Sequence, residues 1–92
     1  MELNGLAVDE DGTQKWYQNG LLHRTDGPAL IYEDVQFWYQ NGWRHRVDGP
    51  AEIWTVGEHY WYLEGQQYSF DMWLEKTAST DKDRTFLALK WG

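Results

Sequence analysis

Hydrophobic and polar positions follow two different rhythms along the chain. Up to residue 68, large apolar side chains alternate with polar ones in short runs. From Ser69 they recur about every 3.6 residues. In the first part, Ala29-Leu30-Ile31-Tyr32-Glu33 and Ala51-Glu52-Ile53-Trp54-Thr55 read as strands. The aromatic run Gln36-Phe37-Trp38-Tyr39-Gln40 reads as another. It stops at Asn41-Gly42, a pair suited to a tight hairpin turn because both positions tolerate positive φ. Asp26-Gly27-Pro28 and Asp48-Gly49-Pro50 each place a further turn before the next strand, with Pro opening that strand where no donor is needed.

The second rhythm predicts two helices. Phe70, Trp73 and Leu74 share a helical face, with Asp71 in the first turn, where the helix dipole favours an acid. Thr80-Asp81-Lys82-Asp83 has the form of a capping box and starts the second helix, which carries Phe86, Leu87, Leu89, Lys90 and Trp91. The link at Ala78-Ser79 is short, so the two helices are expected to be neighbours.

The strand region repeats itself. KWYQNGLLHRTDGPALIYED begins at Lys15, and FWYQNGWRHRVDGPAEIWTV begins at Phe37, an offset of 22 residues. A degraded copy, Trp61-Tyr62-Leu63-Glu64-Gly65, follows at an offset of 23, and a partial copy, Asn4-Gly5-Leu6-Ala7, precedes the first. The division is therefore a partial copy at 4–14, full copies at 15–36 and 37–58, a degraded copy at 59–68, and a helical segment at 69–92. One strand–turn–strand unit per 22 residues implies hairpins side by side in a single antiparallel meander, an α+β fold once the helices are added. Alternation places Trp16, Trp38 and Trp61 on one face and Tyr17, Tyr39 and Tyr62 on the other. Ile31 and Ile53 share a face opposite Tyr32 and Trp54. Both faces are aromatic, so a cover is expected on at least one. Folding the helices over the end of the array would bury Phe70, Trp73, Phe86 and Trp91, each worth about 1.5–3 kcal/mol.

The motif WYxNGxxHRxDGPA, spelled in full at 16–29 and 38–51, resembles the short tandem repeats of small proteins encoded by tailed bacteriophages. These are similar in turn to the MORN repeat, one β-hairpin per unit stacked into an elongated sheet. The resemblance covers residues 4–68, and the third copy departs from it with Glu64 in the Asn position and no HRxDGPA after it. The terminal stretch from Tyr68 also looks like the ending of such phage proteins. The resemblance implies a stacked-hairpin fold and a phage setting, hence the cytoplasm of a bacterial host. It carries no implication of lipid binding here, because an acidic ribbon is repelled by anionic lipid.

Composition sharpens this picture. Seven Trp, six Tyr and three Phe mean a core of flat rings. The absence of Cys rules out disulfides and thiolate metal sites and fits a reducing cytosol. No apolar run spans a membrane, and the N-terminus lacks the basic start and apolar core of a secretory signal. The net charge of −7 argues against a nucleic-acid-binding surface. That charge is concentrated in residues 1–68, with eleven acidic against four basic side chains; residues 69–92 carry four of each.

The candidate chemistry lies in His23, Arg24 and Asp26 and their second copies His45, Arg46 and Asp48. A His–Asp pair could serve acid–base catalysis, and two His a metal. Equivalent positions on neighbouring hairpins lie roughly 10 Å apart, too far for one ion to bridge. An architectural role is the expectation: Asp caps its turn, Arg stacks on the rings or pairs with a carboxylate, and His bonds within the loop. No catalytic residue, cofactor or metal is expected. In-register hairpins would align these corners along one edge of the ribbon. The opposite edge would carry Asp9-Glu10-Asp11, Glu33-Asp34 and Glu58, an acidic row suited to a basic partner. Trp43 stands where the first copy has Leu21 and reads either as packing under the helices or as a partner contact.

The functional expectation is a non-enzymatic protein-binding module that inhibits or modulates a host protein, with anti-phage defence proteins as plausible targets by analogy. Self-assembly through edge strands is the alternative. A third reading is a small-ligand or nucleotide site at the HRxDG corners.

Overall fold

The computed structural model describes residues 3–54 and 57–92. The expected strand at 51–55 ends in Thr55, outside the described residues; its core, Glu52–Ile53, is present. Ten strands precede two helices: β1 Gly5–Val8, β2 Gln14–Gln18, β3 Leu21–Leu22, β4 Leu30–Tyr32, β5 Val35–Phe37, β6 Tyr39–Gln40, β7 Trp43–Arg44, β8 Glu52–Ile53, β9 His59–Leu63, β10 Gln66–Tyr68, α1 Phe70–Thr77 and α2 Asp81–Trp91. All pairings are antiparallel, and the main sheet runs β1-β2-β4-β5-β8-β9-β10 in chain order, with β3 also on β2. The small β6-β7 hairpin is tied to it by Arg24 N–H donating to Tyr39 O and Gly42 N–H donating to Leu22 O. The architecture is α+β and elongated, 44 × 28 × 19 Å. Among the described residues no helix is long and apolar enough to cross a membrane.

The 22-residue period is exact in the pairing. Gln14 pairs with Ile31 and Lys15 with Leu30; one unit on, Gln36 pairs with Ile53 and Phe37 with Glu52. Gln14, Ile31, Gln36, Ile53 and His59 therefore form one row across five strands. Trp16, Trp38 and Trp61 each lie two residues beyond a member of that row, so all three share a face. The extra residue in the third copy is absorbed at a turn. Ile31 and Gln36 enclose four residues, whereas Ile53 and His59 enclose five, with Trp54 N–H donating to Glu58 O and Gly57 N–H to Trp54 O.

The second helix begins at the capping signal read at Thr80, and the first begins at Ser69, where the period changes. Ser69 accepts from Met72 N–H, and Thr80 accepts from Asp83 N–H. They cover only the end of the tryptophan face. Trp61, Trp73, Leu74 and Leu87 form the buried core there, with Phe70 and Trp91 packed against it. The Trp61 ring centroid lies 4.5 Å from that of Trp73 and 4.7 Å from that of Phe70. Phe86 departs from expectation: it is 62% exposed and Leu87 takes the inward position. The reason is geometric: Phe86, Leu87, Leu89 and Trp91 wrap around α2, and only one stripe can face α1.

Candidate functional site

The HRxDGP corners are not at an edge of the ribbon, contrary to the expectation from the sequence. Trp16 N–H donates to Ala29 O, and His23 N–H donates to Trp16 O. Trp38 does the same with Ala51 and His45. Each tryptophan thus faces both ends of an excursion that leaves the return strand at its middle. The edge itself is occupied by the turns at Asn19-Gly20, Asn41-Gly42 and Glu64-Gly65.

Within each corner Arg lies over the tryptophan it faces. Arg24 Cζ is 4.0 Å from the centre of the Trp16 ring, and Arg46 Cζ is 3.7 Å from that of Trp38. Arg24 Nε donates to Asp26 at 3.0 Å and its Nη1 to Pro28 O at 3.2 Å; Arg46 repeats both, to Asp48 at 2.9 Å and Pro50 O at 3.1 Å. The Arg24 guanidinium holds the Asp26 carboxyl below its ordinary range. Arg therefore both stacks and pairs, while Asp serves Arg more than its own turn. His does something else again. His23 Nδ1 accepts the N–H of Asn41, and His45 Nδ1 accepts that of Glu64, both at 3.0 Å. Each His staples its unit to the turn of the next. Asn4 performs the same service for Asn19 N–H at the start of the array.

The acidic turns do share the opposite edge, and several of their carboxylates are engaged at home. Asp9 pairs with Lys15 at 3.1 Å, which raises the Lys15 pKa. Asp11 accepts from Thr13 N–H, and that bond lowers its pKa. Glu58 accepts from the Tyr60 hydroxyl at 2.9 Å, holding that phenol in its protonated form to higher pH. Glu10, Glu33 and Asp34 are exposed at the same edge.

The face opposite the tryptophans has no helix over it. Tyr32 and Trp54 are exposed there, and Phe37 meets Trp54 edge-on at 5.9 Å. A polar network runs through this face. Arg44 donates to Glu52 at 3.1 Å and to the hydroxyls of Tyr39 and Tyr62 at 3.3 and 3.2 Å. These bonds, that to Tyr39 foremost, raise the Arg44 pKa. Glu52, buried, also accepts from Trp54 Nε1 at 2.6 Å. Its placement was hidden in the sequence, where Leu30 fills the same slot of the first copy.

Trp43 does not lie under the helices. It is 58% exposed and forms a wall of an open depression of about 310 Å³ with Gln40, Asn41, His45 and Glu64. Comparison with protein-family models, with curated proteins and with solved structures returns no match for this chain. The geometry of its surfaces is therefore the basis for reading its function. Gln40 was not singled out by the sequence, and Glu64 stood out only as a break in the Asn-Gly pattern of the earlier turns.

Proposed function

We propose that the chain is a non-enzymatic protein-binding module, a MORN-like stack of hairpins encoded by a phage, that modulates a host protein with a basic surface. The observation that carries this reading is the uncovered sheet face bearing Tyr32, Trp54 and Phe37 beside an edge of exposed Glu10, Glu33 and Asp34. Aromatic rings supply contact area at low entropic cost, and a row of like charge steers a complementary partner. The internal pairing of Asp9, Asp11 and Glu58 concentrates the free charge at the tip between β4 and β5.

Affinity capture from bacterial host lysate, read by mass spectrometry, tests it. A specific protein with a basic surface should be recovered, and recovery should fall with Glu33→Lys combined with Asp34→Lys. It should also fall in about 1 M salt, where charges are screened beyond roughly 3 Å. Recovery that ignores both changes removes the acidic edge from the account, and recovery that ignores Tyr32→Ser as well removes the open face.

Self-assembly is the second reading, and it rests on β1. This edge strand leaves Leu6 and Val8 54% and 60% exposed. Light scattering across a range of concentrations decides it: a constant monomer mass eliminates assembly.

A further inference from the structure

The repeat supplies its own control for every position. One unit upstream of the Trp43 depression, the equivalent residues are Gln18, Asn19, Leu21, His23 and Asn41. The backbone frame is the same at both places: His23 accepts from Asn41 N–H and His45 from Glu64 N–H, each at 3.0 Å. Leu21 rests on Gly42 as Trp43 rests on Gly65, where an added Cβ would come within 3.4 Å of Leu21 Cδ2 and 2.6 Å of Trp43 Cε3. The two sets of residues differ at two positions, Trp43 for Leu21 and Glu64 for Asn41. Both differences carry a local cost. Trp43 leaves a large ring 58% exposed, and Glu64 sits at φ +48°, a region that Asn tolerates better.

Together the two changes put an aromatic wall beside a carboxylate where the first unit has Leu21 and Asn41. The molecule shows twice what such a pair holds: Arg24 lies on Trp16 and bonds Asp26, and Arg46 lies on Trp38 and bonds Asp48. We infer that the depression formed by Trp43 and Glu64 receives the guanidinium of an arginine on the partner protein, stacked on the indole and bonded to the carboxylate. The side-chain carbonyl of Gln40 is a further acceptor in the same lining. A planar cation with several donors fits this set better than the point charge of lysine. The proposal rests on the binding-module reading and names the residue type that this site would recognise.

The test uses the whole chain and a capped pentapeptide with a single arginine among glycines, followed by NMR at the Trp43 indole and Glu64 amide. Saturable shifts are expected. Replacing arginine with citrulline, neutral and nearly isosteric, should weaken binding by about tenfold or more. Trp43→Leu and Glu64→Asn should each do the same; both restore residues that the first unit already accommodates, so the fold is retained. Absence of saturation, equal binding of citrulline or lysine peptides, or unchanged binding in both variants would each overturn the proposal. The two readings fail separately. A host protein captured equally well by Trp43→Leu and Glu64→Asn removes the arginine site and leaves the module. An arginine peptide bound by a chain that captures no host protein does the reverse.

Discussion

The two seven-residue corners, HRTDGPA and HRVDGPA, are built alike and live in different surroundings. Their internal distances agree to within a few tenths of an ångström, from the Arg–Trp stack to the Arg–Asp bond. The first is open on its outer side. The second lies under the helices, where Trp73 Nε1 donates to Arg46 O at 2.9 Å and Trp91 Nε1 to Asp48 O at 3.0 Å. Arg24 is 26% exposed and Arg46 11%. The motif thus fixes a local shape without help from its context, and the helices use that shape as a docking platform. In the third copy Tyr68 and Ser69 stand where His and Arg would be, and α1 starts there in place of a corner. The lid takes over the service that Arg24 and Arg46 perform for Trp16 and Trp38.

The largest test of this comparison removes the lid's anchor. Trp73 is fully buried, packs at a tilt against Trp61 and bonds the second corner. Trp73→Ala should cost about 3–5 kcal/mol of unfolding free energy, measured by denaturant titration. The NMR shifts of the second corner should move toward those of the first. If they stay where they are, the helices do not bear on the corner.

A smaller effect separates the corners glycine by glycine. A Cβ at Gly27 would lie 2.8 Å from Arg24 Cζ, at the far end of a side chain with solvent beyond it. At Gly49 it would meet both Arg46 Cζ at 2.7 Å and Trp91 Cζ2 at 2.8 Å. Gly49→Ala should therefore destabilise by about 1–3 kcal/mol through overpacking, and Gly27→Ala by clearly less. Equal losses in thermal or chemical unfolding would mean that the lid is not pressed onto the second corner.

Much of this frame was legible in the sequence. The Asn-Gly turns are where expected, with Asn19 and Asn41 at positive φ, and the second helix starts on the Thr80 cap. Periodicity counts residues but does not say which of them leave a strand. For that reason the corners read as edge turns, although His23 and Ala29 both bond Trp16 and force residues 24–28 out of the strand. The second helix was ambiguous for a related cause: its apolar residues wrap around the axis, and only tertiary packing chose Leu87 over Phe86. The role of His crosses between units and has no local signature. Glu64 read as decay of the pattern, and only the tertiary structure sets it in one lining with Trp43.

The smallest expected effect concerns the open corner alone. Asp26 is largely exposed, and its carboxyl is held below 3.8 chiefly by the bond from Arg24. A group whose folded pKa is depressed contributes stability above its unfolded pKa and loses it as pH falls through the folded one. The contribution of Asp26 should therefore be complete at neutral pH and vanish only on the acid side of 3.8. Carboxyl ¹³C titration should place the Asp26 midpoint below that value, and Arg24→Gln should move it upward. Asp26→Asn should make the acid-side loss of stability shallower while leaving the resonances of Trp38 and Trp73 in place. A response at those rings would show that the first corner is coupled through the sheet to the second, and that the two are not independent copies of one local design.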